Sequence, residues 1–74
     1  MSESAEQRIT VTVNGAARDV PAGSSVADLV AALGFRPAQV AVERNRQIVR
    51  RAEHPTTVLV QGDELEIVTF FGGG

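Results

Sequence analysis

Gly62-Asp63-Glu64-Leu65-Glu66-Ile67-Val68-Thr69-Phe70-Phe71-Gly72-Gly73-Gly74 is the stretch whose reading decides the fold. Gln61, Gly62 and Asp63 make a turn. Over 64–71 the residues alternate: Leu65, Ile67 and Thr69 fall on one face and Glu66, Val68 and Phe70 on the other, the period of a strand. Three glycines follow directly.

Working back from that strand, Val58-Leu59-Val60 is a short apolar stretch, and residues 50–57, with Pro55, read as a loop or a single helical turn. Val40 and Val42 alternate with Ala41 and Glu43, Arg44-Asn45-Arg46 is a turn, and residues 47–49 are a short return strand. The clearest helix lies further back. Val26, Leu29, Val30 and Leu33 fall at i, i+3, i+4 and i+7 and form one apolar stripe. Ser24 or Ser25 caps the start, with Asp28 at capping-box spacing from Ser25. Gly34 occupies the left-handed position after the end, Phe35 packs back on the last turn, and Pro37 prevents resumption. At the front, Ile9, Val11 and Val13 alternate with Thr10 and Thr12. Asn14-Gly15 then favours a tight type I′ hairpin into a return strand over 16–20.

The predicted order is strand, strand, helix, strand, short strand, strand. It implies an α+β fold: a mixed sheet of four to five strands packed on one main helix. The first and last strands are the most apolar and belong side by side at the centre, as in a β-grasp. Residues 1–7 read as a flexible N-terminal extension, 8–71 as the folded domain and 72–74 as a flexible glycine tail.

The chain has 74 residues, 43 % of them hydrophobic and 22 % charged, which fits one small globular domain. Such a domain buries only about 60–65 % of its unfolded surface, which argues against a deep internal active site. The net charge of −2 argues against nucleic-acid binding. No apolar run is long enough to cross a bilayer, and the first residues lack the pattern of a secretion signal, so a cytoplasmic location is expected. There is no cysteine, hence no disulfide, thiolate metal site or thiol nucleophile. There is no lysine either, so the chain cannot build lysine-linked chains with itself.

Three segments in order, Val40-Ala41-Val42-Glu43-Arg44-Asn45-Arg46-Gln47-Ile48-Val49, then residues 62–68, then Phe70-Phe71-Gly72-Gly73-Gly74, resemble the ThiS family of thiamin sulfur carriers. The strand at 9–13, Asn14-Gly15 and Ser25-Val26-Ala27-Asp28-Leu29-Val30 fit the same family. The resemblance covers everything after the N-terminal extension, and order, spacing and the diglycine at the end make it specific. It implies a ubiquitin-like β-grasp and a protein cosubstrate rather than an enzyme. An E1-like ThiF adenylyltransferase would adenylate the Gly74 carboxylate, sulfur from a cysteine desulfurase relay would turn it into a thiocarboxylate, and ThiG thiazole synthase would receive the sulfur. Gly72 and Gly73 would form the slim arm that enters the partners' active sites, since glycine has no Cβ and adopts φ values that other residues avoid. The third glycine is an addition to the pattern that lengthens the arm.

Strand parity and position beside the tail make Val68, Phe70, Phe71 and Glu66 the candidate docking residues. Phe71 is expected in the core. Phe70 either joins it or forms with Val68 an exposed apolar patch for the activating enzyme. Asp63, Glu64 and Glu66 read as solvated strand-edge charge, or as a cluster that steers a basic partner. Arg44, Arg46, Arg50 and Arg51 read as a solvated face, and the single histidine, His54, as a loop residue with no second ligand for a metal. No cofactor is expected. The rival readings are a molybdopterin synthase small subunit, which shares the fold, tail and chemistry, a ubiquitin-like binding module with an inert tail, and a protein modifier joined through Gly74 to lysines. An enzyme in its own right has no visible acid–base pair or nucleophile.

Overall fold

The computed structural model describes residues 7–70. It contains β1 (Arg8–Val13), β2 (Ala16–Pro21), α1 (Val26–Ala32), β3 (Val40–Arg44), β4 (Gln47–Val49) and β5 (Glu64–Thr69), with 3₁₀ turns at Pro37–Gln39 and Arg51–Glu53. The strands form one sheet in the order β2-β1-β5-β3-β4. β1 runs parallel to β5, and every other pairing is antiparallel. The first and last strands are therefore neighbours, β5 is central, and the expected mixed sheet on one main helix is what the chain builds.

Both hairpins depend on left-handed backbone. Asn14 and Gly15 take φ of 51° and 86°, and Asn45 and Arg46 take 50° and 72°, matching the twist that type I′ connections require. Arg46 has no glycine-like freedom at that position, so the second turn is held from outside by contacts of Asn45 described below.

At seven residues, α1 is too short to persist alone and owes its existence to caps and packing. Ser25 Oγ accepts the Asp28 N–H at 3.1 Å, while Asp28 Oδ2 accepts the Ser25 N–H at 2.9 Å. The remaining first-turn donors reach the loop after β4: the Val26 N–H donates to the Thr57 carbonyl and the Ala27 N–H to the His54 carbonyl, both at 2.9 Å. At the other end Gly34 (φ 90°) allows a Schellman closure. Its N–H bonds the Ala31 carbonyl at 3.0 Å, and the Phe35 N–H bonds the Val30 carbonyl at 3.1 Å.

The buried face of α1, Val26, Leu29 and Val30, meets Val11, Val20, Val40, Val42, Val49, Leu65 and Ile67 from the sheet and Leu59 from the long connection. Ile9, Val13, Leu33 and Phe35 pack around this cluster. His54 differs from the simple loop residue expected. It is 2 % exposed, with Nε2 3.3 Å from the Val49 carbonyl, so its ring fills the space between β4 and the start of α1.

Gln7 is already engaged, its carbonyl accepting the Ala22 N–H at 3.0 Å. Residues 1–6 and 71–74, on which most of the expected extension and all of the expected tail fall, lie outside the described residues. Among those described, no helix is long and apolar enough to cross a membrane.

Leu29→Ala removes the central apolar side chain of α1, the one α-helix among the described residues, and unfolding stability should fall by about 2–5 kcal/mol. Urea denaturation followed by circular dichroism checks it. A loss below about 1 kcal/mol would mean the helix is not seated as described.

Candidate functional site

Everything the sequence assigns to function leaves the domain through β5, so the fastening of β5 comes first. Residues of β5 alternate in the direction of their backbone groups. Toward β1, the Thr12 N–H bonds the Asp63 carbonyl at 2.9 Å and the Asn14 N–H bonds the Leu65 carbonyl at 2.8 Å. The β1 backbone then turns away, and the Asn14 side chain continues the ladder. Its Oδ1 accepts the Ile67 N–H at 2.7 Å and its Nδ2 donates to the Ile67 carbonyl at 3.1 Å. Toward β3, pairing runs from Arg44↔Leu65 to Val40↔Thr69, and the Phe70 N–H still bonds the Gln39 carbonyl at 2.8 Å.

The entry to β5 is locked by Asp63, which overturns its reading as solvated charge. Asp63 is 3 % exposed. Its Oδ2 accepts from Arg44 Nε at 2.8 Å and from the Val60 N–H at 2.9 Å, and its Oδ1 accepts from Asn45 Nδ2 at 3.0 Å. Arg44 accordingly does not belong to a solvated face with the other arginines: it is paired. Asn45 also exchanges bonds with Glu64, donating its N–H to the carbonyl at 2.7 Å and accepting the Glu64 N–H on Oδ1 at 2.9 Å. One carboxylate thus ties together the turn before β5 and the β3–β4 hairpin, while its own backbone carbonyl holds β1. Burial pushes the Asp63 carboxyl upward, but the Val60 N–H, Arg44 and Asn45 outweigh it and hold the group below its ordinary value.

The described candidate docking residues, Glu66, Val68 and Phe70, share the outward parity of β5. Leu65 and Ile67 face the core, and Glu66 and Val68 face out. Strand pairing ends at Thr69, short of the expected residue 71, and Phe70 continues the outward alternation. Val68 is 60 % exposed and Phe70 53 %, so Phe70 joins the patch and not the core. Phe71, Gly72, Gly73 and Gly74 lie outside the described residues. Beside Val68 the open sheet face carries a shallow depression of ≈ 340 Å³ bordered by Ala41, Glu43, Ile48 and Glu66. Ile48 is 75 % exposed and was not among the residues singled out. The alternation of β4, with Val49 inward, is the signal that would have found it.

A larger hollow of ≈ 450 Å³ lies between the end of β2 and α1. Its one charged lining residue, Asp28, is engaged in the helix cap, and no β5 residue borders it.

A five-stranded mixed sheet wrapped on one helix, with the last strand at its centre, defines a ubiquitin-like β-grasp domain. The ThiS family model matches residues 11–74, and the chain belongs to the ThiS family. The crystal structure of thiamine biosynthesis protein ThiS from Geobacter metallireducens superposes with a TM-score of 0.71 at 32 % identity, covering 89 % of this chain and 100 % of that one. A solution structure of a thiamine biosynthesis protein from the same organism gives 0.72 at 33 % identity, covering 89 % and 88 %. Two curated proteins, each named thiazole synthase, from Magnetococcus marinus and Paramagnetospirillum magneticum, are each 41 % identical over 64 residues. That match takes in 86 % of this chain, and the chain spans 20 % of the length of either relative.

Because the folded-state pKa of Asp63 lies below its unfolded value, its contribution is fully present above about pH 4 and is lost as pH falls through the folded value. Asp63→Asn should therefore cost about 1–3 kcal/mol at pH 7, with the gap to wild type closing in strong acid. Denaturant titrations across that range decide it. A gap independent of pH would show that the carboxylate charge is not what holds the turn.

Proposed function

We propose that this chain is a sulfur carrier for thiazole formation in thiamin biosynthesis, working as a protein cosubstrate and not as an enzyme. The observation that carries the reading is that the family match runs through residue 74, directly beyond a β5 fastened on both edges. The end group is then presented from a rigid base.

The chemistry follows from the carboxylate of Gly74. A carboxylate resists nucleophilic attack because its charge is spread over two oxygens. An E1-like adenylyltransferase joins one of these to the α-phosphorus of ATP and releases pyrophosphate. The resulting mixed anhydride has a good leaving group. Hydrosulfide attacks the carbonyl carbon as the bond to AMP breaks and gives the thiocarboxylate directly. A persulfide from a desulfurase relay attacks the same carbon, releases AMP and leaves an acyl disulfide, whose S–S bond a thiol reductant then cleaves to free the thiocarboxylate. The product is a thiocarboxylate, a stronger sulfur nucleophile than the acid it replaced. Thiazole synthase is the acceptor in this reading, supported by the two thiazole synthases in which a segment 41 % identical to this chain occurs.

Gly72 and Gly73 serve as the narrow arm that crosses into each partner. Docking falls to the open face beside the exit, with Val68 and Phe70 as apolar contacts, Phe71 continuing them and Glu66 at the rim. In this reading the carrier works in the cytoplasm, where ATP for adenylation is supplied.

Removing Gly74 should abolish sulfur transfer in a reconstituted thiazole assay and leave the thermal unfolding midpoint unchanged. Normal transfer by the shortened chain would overturn the carrier assignment.

A further inference from the structure

The open face carries a local conflict. β3 and β5 set Glu43 directly opposite Glu66, and Ile48 stands opposite Glu43 on the other side. One row across three strands therefore reads Ile48, Glu43, Glu66. The next row on the same face sets Ala41 against Val68. Directly opposed residues of an antiparallel pair bring their Cβ atoms to about 4.5–5.5 Å, where like charges repel and weaken the sheet. Both glutamates are exposed. The one ion pair among the described residues joins Arg44 to Asp63, so neither glutamate has a cation against it there. The two carboxylates stand over the ≈ 340 Å³ depression, whose remaining border is apolar.

We propose that Glu43 and Glu66 form a two-carboxylate receptor for a single arginine of the adenylating enzyme, with Ala41, Ile48 and Val68 receiving the apolar surface around that arginine. The proposal rests on the carrier reading above. A guanidinium suits the spacing because its planar fork of donors can bond one carboxylate on each side. Its charge cancels the repulsion that the free protein tolerates. The placement also suits a partner that must bind, act and release, since exposed complementary charge speeds encounter more than it prolongs residence. A solely structural role predicts the reverse cost: neutralising either glutamate would then leave partner binding untouched.

The test compares the full chain with E43Q, E66Q and the double variant, using a ThiF-type adenylating enzyme. Two quantities are read, the unfolding midpoint of the free carrier and the KM for carrier in pyrophosphate exchange at low and high salt. The receptor predicts that the double variant melts at or above the wild-type temperature, that KM rises about tenfold with the loss in KM rather than kcat, and that the salt dependence of KM shrinks. An unchanged KM in the double variant, or a wild-type KM indifferent to salt, overturns the receptor and leaves the carrier reading standing. Failure of the wild-type chain to be adenylated by an enzyme active on another carrier would instead remove the carrier reading beneath it.

Discussion

The structure depends on how β5 is held. A central strand normally draws its ladder from two full neighbours, but here β1 stops pairing after Thr12↔Glu64 and Val13↔Leu65. Three side chains replace the missing backbone. Asn14 completes the β1 edge at Ile67, Asn45 completes the β3 edge at Glu64, and Asp63 clamps the turn that feeds the strand. Asp63 is buried and its carboxylate bonds are met, as a buried polar group requires. Asn14 and Asn45, exposed as residues, are each multiply bonded through their side-chain amides. The result is a strand whose position does not depend on whatever follows it, which is the mechanical condition for delivering an end group into another protein.

This arrangement also explains where function can reside in so small a domain. The core of valines, leucines and an isoleucine consumes one face of the sheet and the stripe of α1. What remains is the opposite face, and there the chain keeps features that do not serve stability: exposed Ile48, Val68 and Phe70, and two glutamates set against each other. Exposed apolar groups clustered beside like charges point to a surface finished by a partner.

Much of the fold was legible because local chemistry and global architecture agree. The alternation of 9–13 and of 64–69, the Ser25–Asp28 capping box, the Gly34–Phe35 helix end and both hairpin turns each imply the element that forms. The adjacency of the first and last strands was legible through their apolarity together with the β-grasp analogy, whereas periodicity alone did not order the remaining strands. The misreadings share one cause. Asp63 sits beside Glu64 and Glu66 in sequence and looks like surface charge, and its burial is decided by Arg44 and Asn45, nearly twenty positions away. His54 is buried by β4 and α1, which no local pattern announces. Within the candidate site, Glu66, Val68 and Phe70 followed from strand parity, and the same parity puts Glu43 and Ile48 on the outer face of β3 and β4. That these two share a row with Glu66 became visible only once β3 and β4 were laid beside β5. The roles of Gly72, Gly73 and Gly74 rest on family membership and on the chemistry of a terminal carboxylate.

The most direct test of the central claim is the intact mass of the full chain after incubation with ATP, an E1-like adenylyltransferase and a sulfide source. The account predicts a gain equal to the exchange of one oxygen for one sulfur, localised by fragmentation to the C-terminal peptide that ends in Gly74. An unchanged mass, with the same enzyme shown to charge another carrier, would contradict it and reduce the glycine tail to an inert end on a ubiquitin-like module.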